Sequence, residues 1–187
     1  MSIKLKHSSV YSTWFVTFTC WNWINLFEIT AGYDLIYNWF TYLRENKKAE
    51  IIAYVIMPNH IHLIFYFENE NYNLNKLIGN GKRFIAYEFI ERLKAKNNYL
   101  LLDTLSNGVS ASERKKGQLH KCFEGSFDAK AIFSAKFLQQ KINYIHYNPV
   151  KGKWDLAKDF IEYEHSSASF YELEEVKLFR PLHYMDL

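Results

Sequence analysis

This chain of 187 residues has few cysteines, no long apolar run and no strong net charge. Its two cysteines, Cys20 and Cys122, lie far apart and show no ligand spacing. Neither a disulfide framework nor a zinc finger is therefore expected. No run approaches the ~18 apolar residues that span a bilayer, and the N-terminus has no cleavage-site pattern. We expect a cytoplasmic protein that does not enter the membrane.

The overall composition is that of an ordinary globular protein. The formal net charge is only +3, which by itself argues weakly for a polyanionic partner. Hydrophobic residues make up 49% of the chain and aromatic residues 18%, enough to bury a sizeable core. We expect one domain over residues 1–187, with no internal repeats and with a mobile loop at the polar, Gly/Ser-rich segment 103–118.

Hydrophobic periodicity divides most of the chain into strands and helices. Strands are predicted at 12–22, 50–57 and 60–68, and helices at 33–48, 74–97 and 135–148. Segment 121–132 is predicted to contain a further strand, and 154–187 is left unassigned. The order does not repeat a βαβ unit. It favours an α+β fold with a mainly antiparallel sheet and packed helices, of the ferredoxin-like or RRM-like kind.

Turn and cap residues refine these boundaries. Pro58 and Asn59 form a tight turn between two apolar strands, which predicts an antiparallel hairpin. Gly79 and Gly81 interrupt the second helix and are expected to split it. Ser134 is a candidate N-cap for the last helix, which the proline after Asn148 should end.

The strand that begins at His60 carries a second histidine at His62. Residues two apart in a strand face the same way, so the two imidazoles lie close enough to reach one ligand or one metal ion. Histidines on a sheet face are also common as hydrogen-bonded core residues. The pair alone therefore leaves both interpretations open.

The last predicted helix carries a second polar group of residues. Leu138, Ile142 and Ile145 form its buried stripe, and Lys141, Tyr144 and Asn148 follow on an adjacent face. If this face meets the two histidines, they and the Asn148 amide oxygen would bind Mg²⁺ or Mn²⁺. Tyr144 would then oppose a metal-activated phosphate as a nucleophile. As a bare pattern, Tyr144 is more typical of an aromatic residue at the edge of the core than of a nucleophile.

These two motifs resemble those of a known enzyme superfamily. "MPNHIHLIF" is similar to the His-hydrophobic-His motif of single-tyrosine HUH nucleases, and "NYIHYNPVKGKW" to the signature of its transposases. The nearest resemblance is to the insertion-sequence-200-like transposases, above all the branch associated with repetitive extragenic palindromes (REP). It extends from about Trp14 to Tyr171. In place of a Trp and a His often found before the tyrosine helix, this chain has "CFEGSFDAKAI".

The resemblance implies an HUH nuclease core that cuts and rejoins single-stranded or hairpin DNA through a 5′-phosphotyrosine. By position, His60 and His62 become metal ligands with Asn148 as the third, and Tyr144 becomes the nucleophile. Tyr147, three residues on, is the alternative nucleophile. Four basic residues are expected at the DNA: Lys82, Arg83, Lys141 and Lys151.

Two other functions remain compatible with the residues. One is a DNA-binding module that has kept the fold without strand transfer. The other is a metal-dependent hydrolase of small phosphoesters that forms no covalent intermediate. The sequence also leaves open whether the protein is a monomer or a homodimer, since both occur among the families that it resembles.

Overall fold

A four-stranded antiparallel sheet, with helices on both faces, organises the chain. The computed structural model describes residues 12–68 and 72–187. Its strands are β1 (Thr13–Thr19), β2 (Ala49–Ile56), β3 (His60–Phe67) and β4 (Asp128–Ala131). They are ordered β2-β3-β1-β4, and every neighbouring pair is antiparallel. This is the strand order of a ferredoxin-like fold, so the predicted fold class is confirmed.

Helices of very different length connect and cover these strands. They are α1 (Leu26–Ile29), α2 (Tyr33–Lys47), α3 (Leu74–Ala95), α4 (Tyr99–Asn107), α5 (Ala111–Arg114), α6 (Ala135–Tyr147) and α7 (Ala168–Leu173). None of the described helices is long and apolar enough to cross a membrane. Short 3₁₀ turns lie at Trp21–Trp23, Asn148–Val150 and Tyr184–Asp186.

The alternation of side chains in β1 explains why both faces of the sheet are covered. Trp14, Val16 and Phe18 join the core beneath α2 and α3, whereas Phe15 joins a second cluster beneath α6. Residues two apart share a face, so His60 and His62 lie on the α6 side of β3. The predicted hairpin of β2 and β3, with Pro58 and Asn59 between them, is confirmed.

Two predictions were wrong: the loop at 103–118 and the break in the second helix at Gly79 and Gly81. Segment 103–118 is not a loop throughout: it contains the end of α4 and all of α5, whose first turn has a capping box between Ser110 and Glu113. Local capping therefore outweighs its polar, Gly-rich composition. The helix α3 runs without a break through Gly79 and Gly81. Gly81 faces the buried Trp39, and an added Cβ would lie 2.6 Å from that indole.

Alanine at these two glycines is expected to change stability in opposite directions. A Cβ at Gly79 meets no atom within 4 Å, so Gly79→Ala should gain about 1 kcal/mol of helix propensity. At Gly81 the same gain is opposed by a clash with Trp39, and overpacking costs about 1–3 kcal/mol. Urea unfolding of both variants measures the difference. A stabilised Gly81→Ala would contradict the close packing of α3 on α2.

The unassigned C-terminal segment pairs with the free edge of β2. Ser167 N–H donates to Tyr54 O at 3.0 Å, and Ile56 N–H donates to His165 O at 2.9 Å. The Ser167 hydroxyl also lies 2.9 Å from His146 Nε2 on α6. The segment thus covers an exposed sheet edge and ties α6 to it. Because its main partners are far away in the sequence, no local pattern indicates it.

Candidate active site

His60 and His62 lie at the end of β3 and point to one place on the α6 face. Their ring centroids are 4.8 Å apart with the rings nearly perpendicular. Both residues are only 5% exposed. Thr17 and Thr19 face them across the β1–β3 ladder, so neighbouring backbone hydrogen bonds hold their positions. The prediction that the two imidazoles share a face is confirmed.

A second set of contacts orients each ring. Asn59 Nδ2 donates to Trp23 O at 2.9 Å and to Asn25 Oδ1 at 3.0 Å. This fixes Asn59 Oδ1 as the acceptor facing His60 Nδ1 at 2.8 Å. The proton of His60 is thereby held on Nδ1, and the Nε2 lone pair is left available. On the other ring, His62 Nδ1 lies 2.6 Å from Thr17 Oγ1.

Burial keeps both imidazoles uncharged at neutral pH. Desolvation lowers the pKa of His60 to about 4, although a hydrogen bond with Asn148 acts in the opposite direction. Desolvation also lowers the pKa of His62 to about 3, with smaller contributions from His60 and Lys141. Neutral imidazoles are the form that binds metal ions.

Tyr144 projects from α6 toward the same place. Its ring centroid lies 5.1 Å from that of His62 and 5.9 Å from that of Phe15, both in edge-to-face geometry. The side chain is 44% exposed, so its phenol is accessible from solvent. Tyr147 instead packs on Phe160, with 4.2 Å between ring centroids. Only Tyr144 of these two tyrosines has a ring contact with a histidine of the site.

Asn148 completes the cluster one helical turn after Tyr144. A residue before proline is usually pushed out of helical geometry, but Asn148 keeps it, with φ −57° and ψ −41°. The chain continues into a 3₁₀ turn, with Pro149 early in that turn, where proline is tolerated. Asn148 therefore stays on the side of Tyr144, and its amide lies close enough to His60 to act on the pKa of that imidazole.

The donors in this cluster suit a divalent cation. Among residues 12–68 and 72–187, no group of three His, Cys, Asp or Glu residues is arranged to hold a metal. An ion at His60 and His62 would therefore need an oxygen from elsewhere, such as the amide of Asn148. Two imidazoles with an amide oxygen and open positions fit Mn²⁺ and, less well, Mg²⁺.

The basic residues predicted at the DNA lie in two different settings. Lys141 Nζ lies 5.3 Å from the centroid of the Tyr144 ring and 4.6 Å from that of Phe15. Lys151 is exposed, shortly after Asn148. Lys82 on α3 donates to the carbonyls of residues 124 and 126, at 2.5 and 3.0 Å, and thus supports that segment.

Several residues around the site were not predicted from the sequence to belong to it. Asn59, Thr17 and Trp23 become relevant only because the fold brings them against the histidines. Lys130 lies opposite Phe15 on β4, and its charge helps to lower the pKa of Lys141 after the larger effect of desolvation. A close pair of lysines beside an exposed tyrosine is a local concentration of positive charge.

Comparison with known proteins gives matches in structure. No protein-family model matches the chain, and no curated protein sequence matches it. A REP-associated tyrosine transposase, solved bound to a REP hairpin, superposes with a TM-score of 0.62 at 20% identity. The superposition covers 96% of this chain and 89% of that one. The chain has the fold of this transposase.

A second solved structure is less similar. It is a Deinococcus radiodurans protein provisionally assigned as a transposase, with 13% identity and a TM-score of 0.42, covering 78% of this chain and 98% of that one. The first match spans nearly the whole chain. The resemblance seen in the two sequence motifs is thus accompanied by the same fold.

Proposed function

We propose that the protein is a metal-dependent DNA strand-transferase of the transposase type, acting on single-stranded DNA near hairpins. The observation that carries this proposal is the contact of Tyr144 with His62, at 5.1 Å between ring centroids. It joins two motifs about 80 residues apart in the sequence. The fold shared with a REP-associated transposase bound to a REP hairpin supports the same class of substrate.

In the proposed reaction Tyr144 attacks a phosphodiester of the DNA. A bond forms between the phenol oxygen and phosphorus, and the bond from phosphorus to the 3′ oxygen breaks. The phenol loses its proton and the departing oxygen gains one, so the products are a 5′-phosphotyrosine and a free 3′-OH. The covalent bond conserves the energy for rejoining, because a 3′-OH attacks the phosphotyrosine in the reverse sense.

The other residues of the site have supporting roles in this proposal. His60, His62 and Asn148 would hold a divalent ion, which acts as a Lewis acid on the phosphate when bound. Asn59 and Thr17 orient the two imidazoles. The positive charge of Lys141, with Lys130 beside it, favours a phosphate next to the Tyr144 phenol.

The remaining basic residues are proposed to act through the DNA backbone. Lys151 and Arg83 are both exposed and available to phosphates. Lys82 supports the 124–126 segment through its ammonium group, so its contribution to DNA binding would be indirect. Contacts with phosphates should make DNA binding fall steeply as the salt concentration rises.

A labelled-DNA experiment tests the proposal. The protein is incubated with Mn²⁺ and a pool of single-stranded hairpins drawn from sequence flanking the gene, each labelled at the 5′ or 3′ end. We expect a protein–DNA adduct that carries only the 3′ label, together with a released 5′-labelled fragment. Cleavage without an adduct would favour the phosphoester hydrolase. Binding without cleavage across the pool would favour the DNA-binding module.

A further inference from the structure

Trp23 is a large apolar side chain held out into solvent beside the site. It is 58% exposed, and its ring centroid lies 5.6 Å from that of His60. Trp21, two residues earlier, is different, because its ring packs against Gly108 so closely that a Cβ there would lie 2.6 Å away. Of the two tryptophans in this 3₁₀ turn, Trp21 packs against Gly108 and Trp23 is exposed to solvent.

The backbone conformation that exposes Trp23 is an unfavourable one. Asn22 and Trp23 have positive φ values of 53° and 56°, a region that residues with a Cβ rarely adopt. A turn that only had to reverse the chain would be more stable with glycine at Trp23. Hydrogen bonds nevertheless hold the conformation, since Asn22 N–H donates to Glu124 Oε1 at 2.9 Å. Backbone strain maintained in this way is concentrated at functional sites.

The same amide that orients His60 also holds Trp23. Asn59 Nδ2 donates to Trp23 O at 2.9 Å, while Asn59 Oδ1 faces His60 Nδ1 at 2.8 Å. The backbone that carries the indole is therefore fixed relative to the site. His60 also contacts a second tryptophan, Trp154, with 6.1 Å between ring centroids, and Lys153 Nζ lies 5.2 Å from the centroid of that indole.

Exposed aromatic rings combined with cations are the surface that binds unpaired nucleic acid. Bases stack on the rings, whatever their sequence, and the backbone follows the positive charge. A membrane surface or a protein partner would need a broad apolar patch, whereas the exposed Trp23 indole is one ring in contact with the buried His60, whose other tryptophan neighbour, Trp154, has Lys153 over its ring. We propose that Trp23 is a base-stacking site for one unpaired nucleotide adjoining the phosphate held at His60 and Tyr144. This inference rests on the proposed function for its substrate.

Equilibrium binding in a cleavage-inactive background tests it. Trp23→Phe and Trp23→Leu are each combined with Tyr144→Phe, and fluorescence anisotropy measures their affinity for a short labelled oligothymidine. The probe is compared with an abasic oligomer of equal length and charge. Tyr99→Ala is the control, because Tyr99 is 66% exposed and hydrogen-bonds through its side chain to Asn97, away from the site.

The leucine variant should bind oligothymidine roughly 5- to 100-fold more weakly than the parent, and the phenylalanine variant should keep most of the affinity. On the abasic oligomer all variants should bind alike, because no base is present to stack. Equal binding of the Phe and Leu variants to oligothymidine, or equal losses on both probes, would overturn the proposal. The outcome is independent of the adduct experiment: base-dependent loss without an adduct refutes strand transfer alone.

Discussion

Replacing Tyr144 by phenylalanine is expected to abolish the covalent protein–DNA adduct, with cleavage reduced on the order of 10⁴-fold or more. The substitution removes only the phenol oxygen. The ring keeps its edge-to-face contacts with His62 and Phe15, so folding and DNA binding should be unchanged. Denaturing gels of end-labelled DNA measure the adduct, and anisotropy with the same DNA shows that binding is intact.

Tyr147→Phe is the matched control for this experiment. Tyr147 lies on the same helix with a similar exposure, 47% against 44% for Tyr144, but its ring packs on Phe160. If the contact with His62 determines which tyrosine is the nucleophile, the phenol of Tyr147 does not attack the DNA. We expect Tyr147→Phe to form the adduct at the normal rate. An adduct that survives in Tyr144→Phe and disappears in Tyr147→Phe would reverse the assignment.

Loss of metal binding in His60→Ala and His62→Ala is the second large expected effect. A bound ion stabilises the folded state by about 2.7 kcal/mol at 100 times its Kd, which corresponds to a rise in Tm of roughly 5–10 °C for a chain of this size. We expect Mn²⁺ to produce this rise in the parent protein and none in either variant. Thermal unfolding with and without Mn²⁺ measures it without any reference to activity.

Two further variants test the predicted metal site: one should weaken Mn²⁺ binding only in part, and the other is a control. Thr17→Val removes only the partner of His62 Nδ1, at 2.6 Å, and should weaken Mn²⁺ binding about 10- to 100-fold. His120 lies in the cleft between α3 and segment 113–125, away from the cluster, so His120→Ala should keep the full rise in Tm. A rise that persists in both His60→Ala and His62→Ala would refute a metal site at these residues.

Local patterns account for much of the fold. The two apolar runs around Pro58 and Asn59 became the β2–β3 hairpin, and Ser134 caps α6 by accepting from Phe137 N–H at 3.3 Å. These features depend on residues close together in the sequence, where periodicity and capping act. In segment 103–118 a local signal, the capping box of Ser110 and Glu113, was present but the Gly/Ser-rich composition was given more weight. The failure at Gly81 has the opposite origin. The packing of Gly81 on Trp39 overrides what composition alone suggests.

The sequence by itself determined that His60 and His62 share a face of β3, because side chains two apart in a strand do so wherever the strand lies. It also determined that Tyr144 lies beside the buried stripe of α6. Tyr147 is only about 60° further around that helix. Which of the two tyrosines faces the histidines was decided by the packing of α6 against the sheet. The packing depends on contacts between distant segments.

The environment of the site was likewise decided by tertiary structure. Asn59 joins His60 to Trp23 across 36 residues of sequence, and the C-terminal segment reaches His146 through Ser167. Neither contact has a local periodicity, because each joins a turn or an irregular segment to a distant element. The chemical groups of the candidate site can thus be recognised in the sequence. Their orientation, and the position of the Trp23 and Trp154 rings beside them, are set only by the tertiary structure.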